Sequence, residues 1–356
     1  MTSKIPVGIL GATGTVGQRF IQLLHEHPWF EVTWLAASDR SAGKVYAEAA
    51  KWNLATPIPA KIAAMKVSAA APDGNTPRLV FAALDATAAQ QIEPAFAEAG
   101  HAVVSNSSAF RMAEDVPLII PEVNGDHVPL IKTQKWYKKN GGFMVTNPNC
   151  SAIGLVLALA PLHRRFGIDK IFVATMQAIS GAGYPGVPSM DILGNVIPYI
   201  AKEEDKMEAE TRKLLGSLVE SSLNGSRVID ADLALSAHCN RVAVEDGHTE
   251  SVSLKLRKPA TAEEIIEAWS EFRCLPQKLK LPTAPEQPVI YESAPDRPQP
   301  RLDRDRGRGM SAVVGRLRPC NIFDWKFTVL SHNTIRGAAG AAVLNGELLK
   351  AQGYLG

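Results

Sequence analysis

Cysteine, aromatic residues and long apolar runs are all scarce in this sequence. Only four of its 356 residues are cysteines, at positions 150, 239, 274 and 320, and no two stand at Cys-x-x-Cys spacing. That argues against a disulfide framework and against the usual zinc spacings; no metal is expected, and the thiols read as reduced, in a cytoplasmic setting. The most apolar stretch, Ala152 to Leu162, is about half the ~20 residues that a membrane-spanning helix needs. The first ten residues run straight into a strand pattern without a signal-peptide core. An excess of one charge is missing as well: 38 Lys and Arg face 36 Asp and Glu, for a net +2. No global field is therefore expected for nucleic acid or a membrane surface. No internal repeat is visible.

What is present is an ordinary globular mixture, 46% hydrophobic and 21% charged, long enough for two domains. Strand patterns at Ile5–Leu10, Glu31–Ala37, Leu79–Ala83 and Ala102–Ser105 are interleaved with helical patterns after Gly14 and over Ala86–Gly100. Such alternation predicts an α/β, Rossmann-type, doubly wound parallel sheet. After Asn147-Pro148-Asn149-Cys150 the character changes. A helix is expected over Ser151–Arg165, a strand over Lys170–Gln177 and a charged helix over Ile200–Leu218. Further strands are expected at Thr249–Leu256, Ala312–Leu317 and Phe323–Leu330. A helix at Ala262–Phe272 carries Thr261 and Glu264 at capping-box spacing. These predict a second, α+β domain with an open mixed sheet. The boundaries drawn are 1–149 for the first domain and 150–332 for the second, with a small-residue helix within 333–356 returning to the first. The proline-rich, charged segment Pro282–Arg308 reads as a solvated loop, and Lys132–Lys139 as a solvated basic stretch.

Gly11, Gly14 and Gly17 follow the first strand and open a helix, the context in which a glycine triplet indicates a dinucleotide site. Gly11 would permit the tight turn, Gly14 the approach of a pyrophosphate and Gly17 close helix packing, with Thr13, Thr15 and Val16 completing the cradle. The free N–H groups of the helix start favour phosphate. A ligand-free glycine turn is the plainer alternative. The second strand ends in Ser38, Asp39, Arg40 and Ser41, followed by Lys44. Two hydroxyls, a guanidinium and an ammonium suit a 2′-phosphate, so NADP is expected over NAD, with Asp39 as the opposing feature.

Cys150 falls where a proline-containing turn becomes a helix, a position that stabilises a thiolate. It is the candidate nucleophile. Cys239, Cys274 and Cys320 read as small buried hydrophobes.

The strings GATGTVGQRF, SNSSAFRM, NPNCSAIG, QAISGAGYPG, EEDKMEAETRKLLG and HCNRVAVEDGHTESV, in this order, resemble aspartate-semialdehyde dehydrogenases, and more closely the archaeal and fungal branch. The similarity extends through SHNTIRGAAGAAVLN and so spans nearly the whole chain. It implies that Cys150 is acylated, that Gln177 positions the thioester and that His248 is the general acid/base. Arg241 would grip the substrate α-carboxylate, Glu203 the amino group, and Arg111 and Lys206 the phosphate, with Asn149 beside them. Glu204 would replace Glu203 if the helix phase differed by one residue. On residues alone, Glu203 and Lys206 read as an exposed helical pair, and Gln177 as the polar end of a strand. Asn333, Gly181 and Gly183 would lie near the nicotinamide, and Ser38, Arg40 and Ser41 at the 2′-phosphate.

The resemblance implies reduction of β-aspartyl phosphate to aspartate semialdehyde through a thioester, with release of phosphate, in threonine, methionine, isoleucine and, in some organisms, lysine biosynthesis. It also implies a homodimer or homotetramer built through the second domain. Malonyl-CoA reductase and N-acetyl-glutamyl-phosphate reductase share the cysteine logic. A silent NADP-binding regulator is the non-enzymatic alternative.

Overall fold

Six short, strongly apolar strands form the first sheet of the computed structural model, which describes residues 4–220 and 226–355. Residues 1–3, 221–225 and 356, which fall within the domain ranges drawn from sequence, lie outside the described residues. The strands are β1 (Ile5–Leu10), β2 (Phe30–Ala37), β3 (Ser68–Ala69), β4 (Leu79–Ala82), β5 (Ala102–Ser105) and β6 (Phe143–Thr146). All pair in parallel, in the order β3-β2-β1-β4-β5-β6. Helices cover both faces, which is why β4, β5 and β6 are buried along their whole length. The strand order reverses between β1 and β4, and that crevice is where open α/β sheets bind ligands.

The second sheet is mixed, as expected. Its order is β10-β7-β11-β14-β13-β12, from β7 (Ile168–Gln177), β10 (Ala234–Arg241), β11 (His248–Leu256), β12 (Val289–Glu292), β13 (Ala312–Pro319) and β14 (Trp325–Ser331); β8 (Ser217–Val219) and β9 (Arg227–Ile229) form a separate hairpin-like pair. The Cys150–Phe166 helix lies against this sheet, with Ile153, Val156, Leu157 and Ala160 in a common core with Val173, Val252, Val314 and Phe327. Its apolar residues run all round because other elements cover its remaining sides.

Three expectations needed correction. The charged helix spans Glu203–Leu214 only, and the chain then enters β8. Segment Pro282–Arg308 is not a solvated loop. It contributes β12, which pairs with β13, and it buries Asp303. That carboxylate accepts from Arg297 Nε at 2.6 Å and the Gln299 N–H at 2.7 Å, partners that make its burial tolerable. Among the other cysteines only Cys239 is buried; Cys274 and Cys320 are partly exposed. The capping box at Thr261 and Glu264 is present. The closing helix begins with a wide turn over Ile335–Ala339 and runs as an α-helix over Gly340–Ala351. It shares a core with the first sheet, Val343, Leu344 and Leu348 packing with Val7, Ile9 and Phe81.

Candidate active site

Strand register brings the site together. β7 and β10 run in parallel with Gln177 opposite Arg241, so both side chains arrive at one end of the second sheet. β11 runs antiparallel to β7 and starts there, with Thr249 opposite Met176, which delivers His248 to the same end. The C-terminal end of β6 leads through Asn147–Asn149 into the Cys150–Phe166 helix, so Cys150 stands between the two sheets. Asn149 caps that helix: its Oδ1 accepts from the Ser151 and Ala152 N–H groups at 2.9 and 3.0 Å.

A cleft of about 520 Å³ lies over this point. It is lined by Thr15 and Val16 from the nucleotide side, and by Arg111, Asn149, Cys150, Gln177, Gly181, Gly183, Glu203, Lys206, Arg241 and Asn333 from the substrate side. Cys150 Sγ is 3.2 Å from His248 Nε2. The Ala178 N–H donates to His248 Nδ1 at 3.0 Å, and Arg241 Nη1 donates to the Ala178 carbonyl at 2.8 Å. A ring nitrogen that accepts from a backbone N–H carries no proton, so the neutral ring holds its proton on Nε2, facing sulfur. Burial, reinforced by Arg241, presses the His248 imidazole down to about 3. In this arrangement His248 is a neutral ring that directs its Nε2 proton at the sulfur.

At Cys150 burial and nearby cations act in opposite directions on the thiol. Burial pushes the Cys150 thiol up to about 12, and the Glu203 carboxylate adds to the rise, while Arg111 and Arg241 pull the other way.

Glu203, not Glu204, faces the cleft. Its Oε1 accepts from Asn149 Nδ2 at 2.8 Å and Gln177 Nε2 at 3.2 Å, and Lys206 Nζ is 3.7 Å from Oε2. Glu204 turns to β10, where it accepts from the Cys239 N–H. Asn333 joins two loops: its Oδ1 accepts from the Gly247 N–H and its Nδ2 donates to Ser180 Oγ.

At the nucleotide end, the Thr15–Leu24 helix starts with Gly14, has no side-chain cap and has no acidic residue in its first turn. Its first N–H groups thus remain available to an anion. Gly11 has φ +84°, and a Cβ on Gly17 would meet the Gly11 carbonyl oxygen at 2.3 Å, whereas one on Gly14 would make only an ordinary contact with that oxygen at 3.6 Å. The tight turn at Gly11 and the close packing at Gly17 are thus both present. Gly11 and Ala12 both donate to the Ala36 carbonyl, which sets the end of β2 beside the glycine turn. Ser38, Arg40 and Lys44 are exposed there and Ser41 is half-buried. Thr13 is half-buried in the turn itself.

The sequence reading missed several cleft residues: Leu84, Asp85, Asn106, Ser107 and Thr334. The first four follow β4 and β5, and the switch-point rule could have found them.

The geometry has counterparts in known proteins. The family model described as "Semialdehyde dehydrogenase, NAD binding domain" matches residues 6–131, and "Semialdehyde dehydrogenase, dimerisation domain" matches 159–336. An aspartate-semialdehyde dehydrogenase of Archaeoglobus fulgidus is 51% identical, over 97% of this chain and 98% of its own length. The Saccharomyces cerevisiae protein of that name is 46% identical over 100% of both chains. The chain belongs to the aspartate-semialdehyde dehydrogenase family. Its fold superimposes on the crystal structure of the Candida albicans family member with NADP at a TM-score of 0.91, with 46% identity, covering 99% of this chain and 100% of that one. Among the described residues no helix is long and apolar enough to cross a membrane, and no group of three or more His, Cys, Asp or Glu side chains could hold a metal ion.

Proposed function

We propose that this family member is an NADP-dependent aspartate-semialdehyde dehydrogenase acting through a thioester on Cys150. The observation that carries the reading is a single cysteine at a capped helix start, 3.2 Å from an imidazole, in a cleft that brings the cations Arg111, Lys206 and Arg241 together with the Glu203 carboxylate. That charge pattern fits a substrate with two anionic ends and one ammonium group, which β-aspartyl phosphate has. An N-acylated amino acid or an acyl-CoA lacks the ammonium and would bring no cation to Glu203.

In this mechanism Arg241 holds the α-carboxylate, Glu203 the amino group, and Arg111 and Lys206 the phosphate. The sulfur of Cys150 attacks the acyl carbon, the C–O bond to phosphate breaks, and phosphate leaves with that electron pair. Arg111 and Arg241 favour the thiolate form that burial opposes, and the thiol proton leaves with the departing phosphate, as hydrogen phosphate. His248 directs its Nε2 proton at the sulfur and at the oxygen that becomes negative beside it. NADPH, when bound, supplies the hydride that reduces the thioester carbonyl. Cys150 then departs as the leaving group and aspartate semialdehyde is released, so that one difficult step becomes two easier ones.

The residues present fit NADP: an uncapped helix start for the pyrophosphate, and Ser38, Arg40, Ser41 and Lys44 at the β2 edge for the 2′-phosphate. Within the fold, 1–149 with the helix in 333–356 would hold the cofactor and 150–332 would carry the chemistry. The outer face of the second sheet exposes Phe172 and Met176, which suits a homodimer or homotetramer in the cytoplasm.

The test is phosphate-dependent NADPH formation from aspartate semialdehyde, run beside NAD in place of NADP, beside N-acetyl-glutamate semialdehyde, and beside NADPH consumption with malonyl-CoA. Turnover with the free amino-acid aldehyde and NADP is expected. Cys150→Ala should abolish it and leave NADP affinity near normal; a turning-over alanine variant removes the assignment.

A further inference from the structure

We propose that Glu210, which no part of the mechanism above uses, is the positioning residue that fixes the phosphate-binding arginine relative to the nucleophile. The inference rests on the reading of Arg111 as the phosphate ligand. Glu210 is buried, 2% exposed, and its two carboxylate oxygens go to two different parts of the site. Oε1 accepts from Arg111 Nη1 at 2.9 Å, and Oε2 accepts from the backbone N–H of Asn149 at 2.6 Å. Asn149 is the cap of the helix that begins with Cys150. One carboxylate therefore spans from the guanidinium that would bind the leaving group to the peptide just before the sulfur that attacks.

The rest of Arg111 is arranged in the same sense. Nη2 donates to the Asn106 carbonyl at 2.7 Å, and Nε is buried with no partner. Two of the five N–H groups are thus fixed, and the guanidinium they hold lines the cleft. Three residues beyond Glu210, Lys213 Nζ donates to the carbonyls of Arg111, Ala113 and Val116 at 2.7, 2.8 and 3.1 Å. Glu203, Lys206, Glu210 and Lys213 are spaced three, four and three, which is one face of a helix. That face presents two groups to substrate and uses the next two to hold the arginine by its guanidinium and by its backbone.

Two effects of Glu210 on phosphate oppose each other. Its charge repels a dianion, whereas its bridge holds Arg111 in line. Both oxygens are engaged by donors, one of them cationic, which offsets the repulsion, so orientation dominates. Gln retains one acceptor and places an amide N–H against a second donor; Asp retains the charge but is one methylene too short to reach both partners. Both changes should therefore act alike.

The experiment measures phosphate-dependent oxidation of aspartate semialdehyde by wild type, Glu210→Gln, Glu210→Asp, Arg111→Gln and the Arg111→Gln/Glu210→Gln double variant. The single Glu210 variants should raise the KM for phosphate about tenfold or more, the effect of losing one charged hydrogen bond. The KM for the aldehyde and the affinity for NADP should stay within about twofold, and in the Arg111→Gln background Glu210→Gln should add less than about twofold. A phosphate KM that is unchanged or falls in Glu210→Gln, a proportional loss in every constant, or simple additivity in the double variant each overturn the proposal. So does failure of both single variants to fold, judged by NADP binding, because the role would then be structural. Wild type without phosphate-dependent turnover would instead overturn the functional reading itself.

Discussion

At Gly181 a methyl group would stand 2.8 Å from Arg241 Nη1 and 3.1 Å from the His248 ring, in space that both side chains need. Gly181→Ala is expected to lower kcat/KM by about a hundredfold, the scale at which a ~1 Å displacement of reacting groups acts. Little change in thermal stability should accompany it, since the added methyl faces the cleft. Steady-state kinetics with a melting curve checks both. The His248 ring makes a second prediction at this scale. Gln offers an amide N–H about where Nε2–H lies, so His248→Gln should retain more turnover than His248→Ala. Equal rates in the two would contradict a donor role. The setting of Cys150 and of the glycines was legible in the sequence because it is local: a capped turn, a positive φ, a close backbone contact. The tautomer of His248 was not, because it depends on the Ala178 N–H, 70 residues away.

Elements were legible where pattern and capping agreed. The Ala262–Ser270 helix has Thr261 accepting from the Glu264 N–H and Glu264 accepting in return. Thr261→Ala should reduce stability by about 1 kcal/mol, read as a shift in the urea midpoint, with kcat unchanged because the helix lies outside the cleft. The Glu203–Leu214 helix was harder. Its charged composition reads as a solvated face, yet Glu203, Glu210 and Lys213 are buried. Their partners come from the Arg111 segment and from Asn149, distant in sequence, so only packing distinguishes a surface pair from a substrate site. The same holds for Asp303, which composition assigns to a loop and Arg297 keeps inside.

For the molecule as a whole, Arg336 and Glu122 form a fully buried bidentate pair, at 2.8 and 2.6 Å, between the start of the closing helix and the Pro121–Asn124 helix. Arg336→Met leaves a carboxylate buried without its partner and should destabilise by about 3–5 kcal/mol. Adding Glu122→Gln should recover part of that loss in a denaturation cycle. Glu93 sets a pH dependence. Burial pushes its carboxyl up to about 7, against a Ser105 hydroxyl that pulls it down. Between its ordinary value near 4.5 and 7 the folded chain holds a proton that the unfolded chain has lost, so stability falls as pH rises through that window and is level above it. Glu93→Gln should therefore gain on wild type with rising pH, by at most about 3 kcal/mol at pH 8, and match it near pH 4. A difference that is constant with pH would contradict the buried acid.

By itself the sequence determined the alternation that makes a parallel sheet, the glycine turn that opens to a phosphate, and a cysteine held at a helix start. Each of these follows from backbone geometry over fewer than about ten residues, the range in which side-chain spacing dictates conformation. Only the tertiary structure decided the charges that surround that cysteine, the tautomer of His248, which of Glu203 and Glu204 faces the cleft, and the bridge through Glu210. Those depend on desolvation and on charges brought together from remote segments, and electrostatic free energy is set by distance and burial in space rather than by order along the chain.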